Sequence, residues 1–162
     1  MLSRKILFAI LAVLLLGVIV PGAWAQSAPI NATDVTLQSH VTVNQCSAGE
    51  PVALNGIVHV EFSVNTDQAT GANLFSVTAA NNLTGVGQTT TSPYVAADSA
   101  DYTFSSAQSS TDATVELKSD LTPSLSGQGT TMTLVQQLHI TVDTSGSLSV
   151  SVLGSTSTCG GN

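Results

Sequence analysis

From Val52 to Val64 every second residue is apolar or glycine: Val52, Leu54, Gly56, Val58, Val60, Phe62 and Val64. Successive side chains of an extended strand point to opposite sides, so this period places the whole series on one face. A helix would scatter the same residues around its axis. The segment therefore commits the chain to a sheet with one buried face. Gly56 leaves a gap in the row and predicts a bend or bulge at that point.

The two-residue period recurs along the chain. Val35, Leu37, Val41 and Val43 predict an earlier strand, and Phe75, Val77 and Ala79 a later one after a turn around Asp67 to Gly71. Tyr102 and Phe104, then Val115 and Leu117, predict two more. A long strand follows in Met132, Leu134, Leu138, Ile140 and Val142. Asp143-Thr144-Ser145-Gly146 predicts a hairpin turn, and Leu148, Val150 and Val152 return along a last strand. No stretch has the pattern of an amphipathic helix of useful length. Short turns between successive strands predict an all-β antiparallel meander of about seven or eight strands. Its free edges must be hidden, by closure or near-closure into an up-and-down barrel or by folding over as a β-sandwich, and the barrel is favoured. Two stretches interrupt the pattern. Leu83 to Tyr94, rich in Gly and Thr, reads as a long loop or crossing. Leu121 to Thr130, with Pro123, Gly127 and Gly129, reads as a flexible hairpin loop.

The N-terminus predicts export. Arg4 and Lys5 precede an unbroken apolar run from Ile6 to Val20, followed by Pro21-Gly22 and the small-residue site Ala23-Trp24-Ala25. The run is about 15 residues, short of the roughly 20 that a membrane-spanning helix needs. Residues 1–25 are thus read as a signal peptide cleaved before Gln26, and residues 26–162 as a single secreted or periplasmic domain. Within that domain Cys46 and Cys159 are the two cysteines, and in an exported protein such a pair predicts one structural disulfide. Ends of an up-and-down series alternate between top and bottom. Cys159 can then meet Cys46 directly only if the number of strands is odd, which the seven segments above satisfy.

Charge excludes a class of partners. Once Arg4 and Lys5 leave with the signal, Lys118 is the only Lys or Arg, against ten Asp and Glu. Nucleic acid is held chiefly by neutralising its phosphates with Lys and Arg. This acidic domain has almost nothing to do that with, so no nucleic acid and no anionic membrane surface is expected as a partner. An extracellular ligand or protein is.

A resemblance runs through most of the domain in order. The residues Cys46-Ser-Ala-Gly-Glu50-Pro-Val52-Ala-Leu54-Asn-Gly56-Ile-Val-His59-Val-Glu-Phe62-Ser-Val64, then Gly85-Val86-Gly87-Gln-Thr-Thr and Tyr94, then Leu138-His139-Ile-Thr-Val142-Asp-Thr-Ser-Gly146 and Cys159, resemble a group of small exported bacterial all-β proteins with paired cysteines. The resemblance implies a compact disulfide-tied module and supplies no catalytic residue, activity or cofactor. Thr91 stands where it leads one to expect Gly after the Thr-Thr pair.

Few residues offer chemistry. His59 and Glu61 share a strand face, as do Gln137, His139 and Thr141 on another strand. In matching register, His59, Glu61 and His139 would suit metal binding or acid–base work. Otherwise they are outward polar positions. His40 shares its face with Thr36 and Thr42 and is expected in solvent. Asp98 and Asp101 beside Tyr94 and Tyr102 make the densest acidic and aromatic patch, without the regular oxygen-ligand spacing of a calcium loop. Gly85-Val86-Gly87 lacks the Lys and the helix that a phosphate loop requires, and no G-x-S-x-G nucleophile motif occurs. The expectation is a secreted, non-catalytic β module without cofactor. It would bind a small apolar ligand or an extracellular partner, with Tyr94, Tyr102, His59 and His139 as candidate contacts. The alternative is a small extracellular enzyme or metal protein built on His59, Glu61 and His139.

Overall fold

The computed structural model describes residues 31–46, 48–125 and 130–159. Seven strands span them: β1 (Asn31–Asn44), β2 (Glu50–Thr66), β3 (Asn73–Gly87), β4 (Pro93–Ser106), β5 (Thr111–Pro123), β6 (Met132–Val142) and β7 (Leu148–Cys159). They pair antiparallel in chain order, the meander that the alternation predicts. The segment read as a signal peptide and residues 126–129 of the stretch read as a loop from Leu121 to Thr130 lie outside the described residues, while Leu121 to Pro123 of that stretch finish β5.

The sheet curls into a nearly closed barrel. Ladders run the length of β1 to β4 and of β5 to β7, but β4 joins β5 through only Tyr94↔Pro123 and Val95↔Thr122. Beyond that joint Tyr102 spans the gap, its hydroxyl donating to the Glu116 carbonyl at 2.8 Å. Burial pushes the Tyr102 phenol up, which keeps it a donor. Six antiparallel steps bring β7 back beside β1 running in the same direction. No ladder among the described residues joins these two strands. The seam is held instead by Asn31 Nδ2 donating to the Gly146 carbonyl at 3.0 Å, by the Ser157 hydroxyl donating to the Val43 carbonyl, and by the Cys46–Cys159 disulfide with Cα atoms 5.2 Å apart. An odd strand count and a direct bridge between the two strand ends therefore go together as expected.

The interior is filled by side chains. Val52, Leu54, Val58, Val60 and Phe62 of β2 are buried with Phe75, Val77 and Leu83 of β3, and with Leu117, Leu134, Leu138 and Ile140 of β5 and β6. Phe62 and Phe75 stack with ring centroids 6.3 Å apart. A polar bridge crosses this core. Asn81 Nδ2 donates to Ser119 Oγ (2.9 Å) and Gln136 Oε1 (2.7 Å), while Asn81 Oδ1 accepts the Asp98 N–H at 3.1 Å. It ties β3 to β5 and β6 where the β4–β5 ladder is missing.

Three expectations need correction. Val41 and Val43 do not continue the buried row of Val35 and Leu37. The register with β2 shifts between Leu37 and His40, and Ser39 adopts a positive φ of 49°. One extra residue inverts everything after it. Val41 and Val43 face outward, while Thr42 and Asn44 are buried. For the same reason His40 turns out of solvent, with its Nε2 buried and unbonded among the described residues. The third correction concerns Leu83 to Tyr94, which is a hairpin and not a loop. Leu83 to Gly87 finishes β3, and Pro93 starts β4. Its inward positions after Leu83 are Gly85 and Gly87, so hydrophobic periodicity passes over them. Glycine is needed there: a Cβ on Gly85 would sit 2.9 Å from Val52 Cγ1. In the connecting turn Thr91 holds φ at 58° and its N–H donates to the Gly87 carbonyl at 2.9 Å, so the expected Gly marked a left-handed position that Thr91 fills here.

Candidate functional site

Cys46, the start of β2, the β3–β4 turn and Cys159 meet at the disulfide end of the barrel. Glu50 starts β2 buried there, and its Oε1 accepts from Thr90 N–H (2.7 Å), Thr90 Oγ1 (2.7 Å) and Thr89 N–H (3.2 Å). Gly87 makes room for this carboxylate: a Cβ on it would lie 2.4 Å from Glu50 Oε1. Tyr94, only 1% exposed, accepts from Asn44 Nδ2 at 3.2 Å. Asn44 Oδ1 in turn accepts the Cys46 N–H at 2.9 Å. Glu50, the Thr89-Thr90 turn, Tyr94, Asn44 and the disulfide thus form one rivet closing that end. Tyr94 is structural in this arrangement and is not presented to solvent.

Desolvation pushes the Glu50 carboxyl up, but the Thr90 N–H and hydroxyl, the Thr89 N–H and the Tyr94 hydroxyl outweigh it and hold the pKa below the usual carboxylate value. A carboxylate with a depressed folded pKa stabilises the native state at pH above its unfolded pKa. That contribution is lost as pH falls through the folded value. Thermal melts from pH 7 downward should therefore show an acid limb that is shallower in Glu50→Gln than in the parent. The parent should also be the more stable by about 1–3 kcal/mol near neutrality, since the variant leaves turn donors poorly matched. Coincident acid limbs would mean that Glu50 is not the anchor.

The remaining candidates lie outside, on separate faces. His59 on β2 is wedged between Asp34 of β1, with Nδ1 to Oδ1 at 2.5 Å, and Glu61, with Nε2 to Oε1 at 3.1 Å. Bonds to Asp34 and Glu61 raise its pKa and favour the imidazolium. Both ring nitrogens are thereby occupied by carboxylates on opposite sides. His139 on β6 belongs to the other ladder, with Nε2 2.8 Å from Asp112 Oδ1. Two histidines on non-adjacent strands, β2 and β6, do not form one cluster. Among the described residues no group of three His, Cys, Asp or Glu is placed to hold a metal ion. Asp101 accepts from Thr78 Oγ1 at 2.7 Å, and Asp98 accepts the Ser99 N–H at 2.8 Å. Both are exposed.

Sequence reasoning missed a cleft. At the end opposite the disulfide, a cleft of about 550 Å³ opens between the β4–β5 and β6–β7 turns. Ser105, Ser106, Gln108, Ser110, Asp112 and Thr144 supply hydroxyl, amide and carboxylate groups to it. The turns are legible in the sequence, but their meeting depends on the β5–β6 hairpin holding them side by side. Asp143 is committed to its own turn, where the Ser145 hydroxyl, the Ser147 N–H and the Ser145 N–H all donate to it and lower its pKa. Comparison with known protein families, curated proteins and solved structures finds no match. Function therefore rests on the geometry alone. That geometry offers a filled interior, an open hydroxyl-lined cleft and an outer surface of uneven polarity.

Proposed function

We propose that the protein is a non-catalytic extracellular module that makes its contacts on the outside of a filled barrel, as an adhesive or structural unit. The interior carries this reading. Tyr94, Phe75, Leu54, Leu117, Leu134 and Leu138 are fully buried and occupy the space in which a carrier barrel would enclose its ligand. A single disulfide tying the end of the first strand to the end of the last suits an oxidising compartment and supports export. The separation of His59 from His139 leaves the enzymatic and metal readings without a shared site.

Native mass spectrometry of the exported protein tests the proposal. The expected spectrum shows the bare mature polypeptide, alone or in integer multiples. A stoichiometric apolar adduct, or a metal ion released by chelator, overturns it.

A further inference from the structure

Six of the eight large hydrophobic residues left exposed among the described residues lie on or beside one outer face. They are Val41, Val43, Ile57, Val86 and Val95 on β1 to β4, with Leu153 on β7 across the seam. The strand registers show how they assemble. Reading across the outside of the sheet, one row is Val43–Pro51 and the next is Val41–Ala53–Val86–Pro93. Then come Asn55–Thr84–Val95 and Thr36–Ile57–Asn82–Ala97. None of these rows holds an ionisable side chain. Charge begins in the following rows, with Asp34–His59 and then Glu61–Thr78–Asp101. Half of this face is uncharged, with its apolar residues densest toward the disulfide end, and the other half is acidic.

The apolar half is extended from Ile57, Val86 and Val95 by irregularities in the two strands that flank the seam. The bulge at Ser39 turns Val41 and Val43 outward, and the register shift opposite Gln137 and Leu138 leaves Leu153 unpaired and 59% exposed. With unbroken alternation the two valines would have been buried, and Thr42 and Asn44 would have faced solvent. Exposed apolar patches of this kind on a soluble domain mark interaction surfaces.

We infer that this neutral half-face is where a second copy of the chain docks, forming a two-fold symmetric dimer. The inference rests on the proposal that contacts are made on the outer surface. Charge selects the occupant. The described residues carry all ten Asp and Glu of the chain, against Lys118 and a His59 already paired with two of them, so two copies repel wherever charged surfaces meet. The four neutral rows allow a close approach without that repulsion. With a two-fold axis normal to the sheet through the neutral half, the acidic halves point away from each other. Four rows and about five strands cover roughly 500 Å² per copy at standard strand spacings. That is the low end for a specific interface and corresponds to a weak dimer, with a dissociation constant of roughly 10–100 µM.

Sedimentation equilibrium on the mature, disulfide-intact protein decides the matter. The weight-average mass of the parent should climb toward twice the monomer as concentration rises through that range. Added salt should strengthen association by screening the acidic halves, whereas an interface of ion pairs would weaken. Val41→Asp with Val86→Asp should raise the dissociation constant at least tenfold, with an unchanged melting temperature showing that the fold persists. Leu74→Asp, an exposed apolar position away from the patch, should leave association unchanged. A parent that stays monomeric throughout overturns the inference and assigns the face to a different partner, and so does a Val41/Val86 variant that associates as tightly. Either result leaves the outer-surface proposal standing, since that proposal fails only through a retained ligand or metal.

Discussion

Replacing Cys46 and Cys159 together by alanine is expected to lower the melting temperature by about 10–20 °C. The bridge spans a sequence separation of 113 residues, so it closes a loop containing β2 to β7 and ties its far end to the end of β1. Chain-entropy arguments assign about 4–5 kcal/mol to a closure of this length. Topology adds to the expectation. β1 and β7 are the two strands with a ladder on one side only, and between them stand a few side-chain bonds and the disulfide. Without the bridge, amide hydrogen exchange should accelerate first in β1 and β7, while the β2–β3 and β5–β6 ladders keep their protection. A double variant that melts with the parent would show the seam to be held by other means.

Gly56→Ala is expected to destabilise the fold by about 2–5 kcal/mol, far beyond an ordinary glycine substitution in a strand. Gly56 sits at φ +144°, a region that L side chains rarely adopt. A Cβ there would stand 2.2 Å from the Asn82 carbonyl oxygen and 3.0 Å from Leu83 Cα, both backbone atoms that cannot step aside. Gly56 pairs with Leu37 just before the β1 bulge, so the register shift of β1 and the positive φ of β2 sit opposite each other. Gly154→Ala is the matched control. Nothing lies within 4 Å of a Cβ at that position, and chemical denaturation should find the variant close to the parent. Comparable losses for the two would remove the steric argument.

The candidate site was less legible in the sequence than the fold. Tyr94 stands out as an aromatic beside acidic residues, yet it is buried beneath Asn44 at the disulfide end. Glu50 draws no notice as a lone carboxylate after a glycine, although it anchors a turn some forty residues away. His59 and His139 share a pattern but not a neighbourhood, because strand order around the barrel separates β2 from β6. The cleft between the β4–β5 and β6–β7 turns joins segments that have no sequence motif in common.

By itself the sequence determined the strands, their antiparallel order and the pairing of the two cysteines. The strands and their order follow from side-chain alternation and short turns, which act between near neighbours in the chain, and the pairing follows from the domain's having two cysteines. Tertiary structure alone decided which way β1 and β7 face after their bulges, and that Gly85 and Gly87 belong to a strand. It also decided that apolar residues gather on one uncharged outer face. A bulge inserts a single residue and inverts every side chain beyond it, and it forms where packing against the next strand favours it. The local pattern of Val41 and Val43 is the same on either side of that inversion.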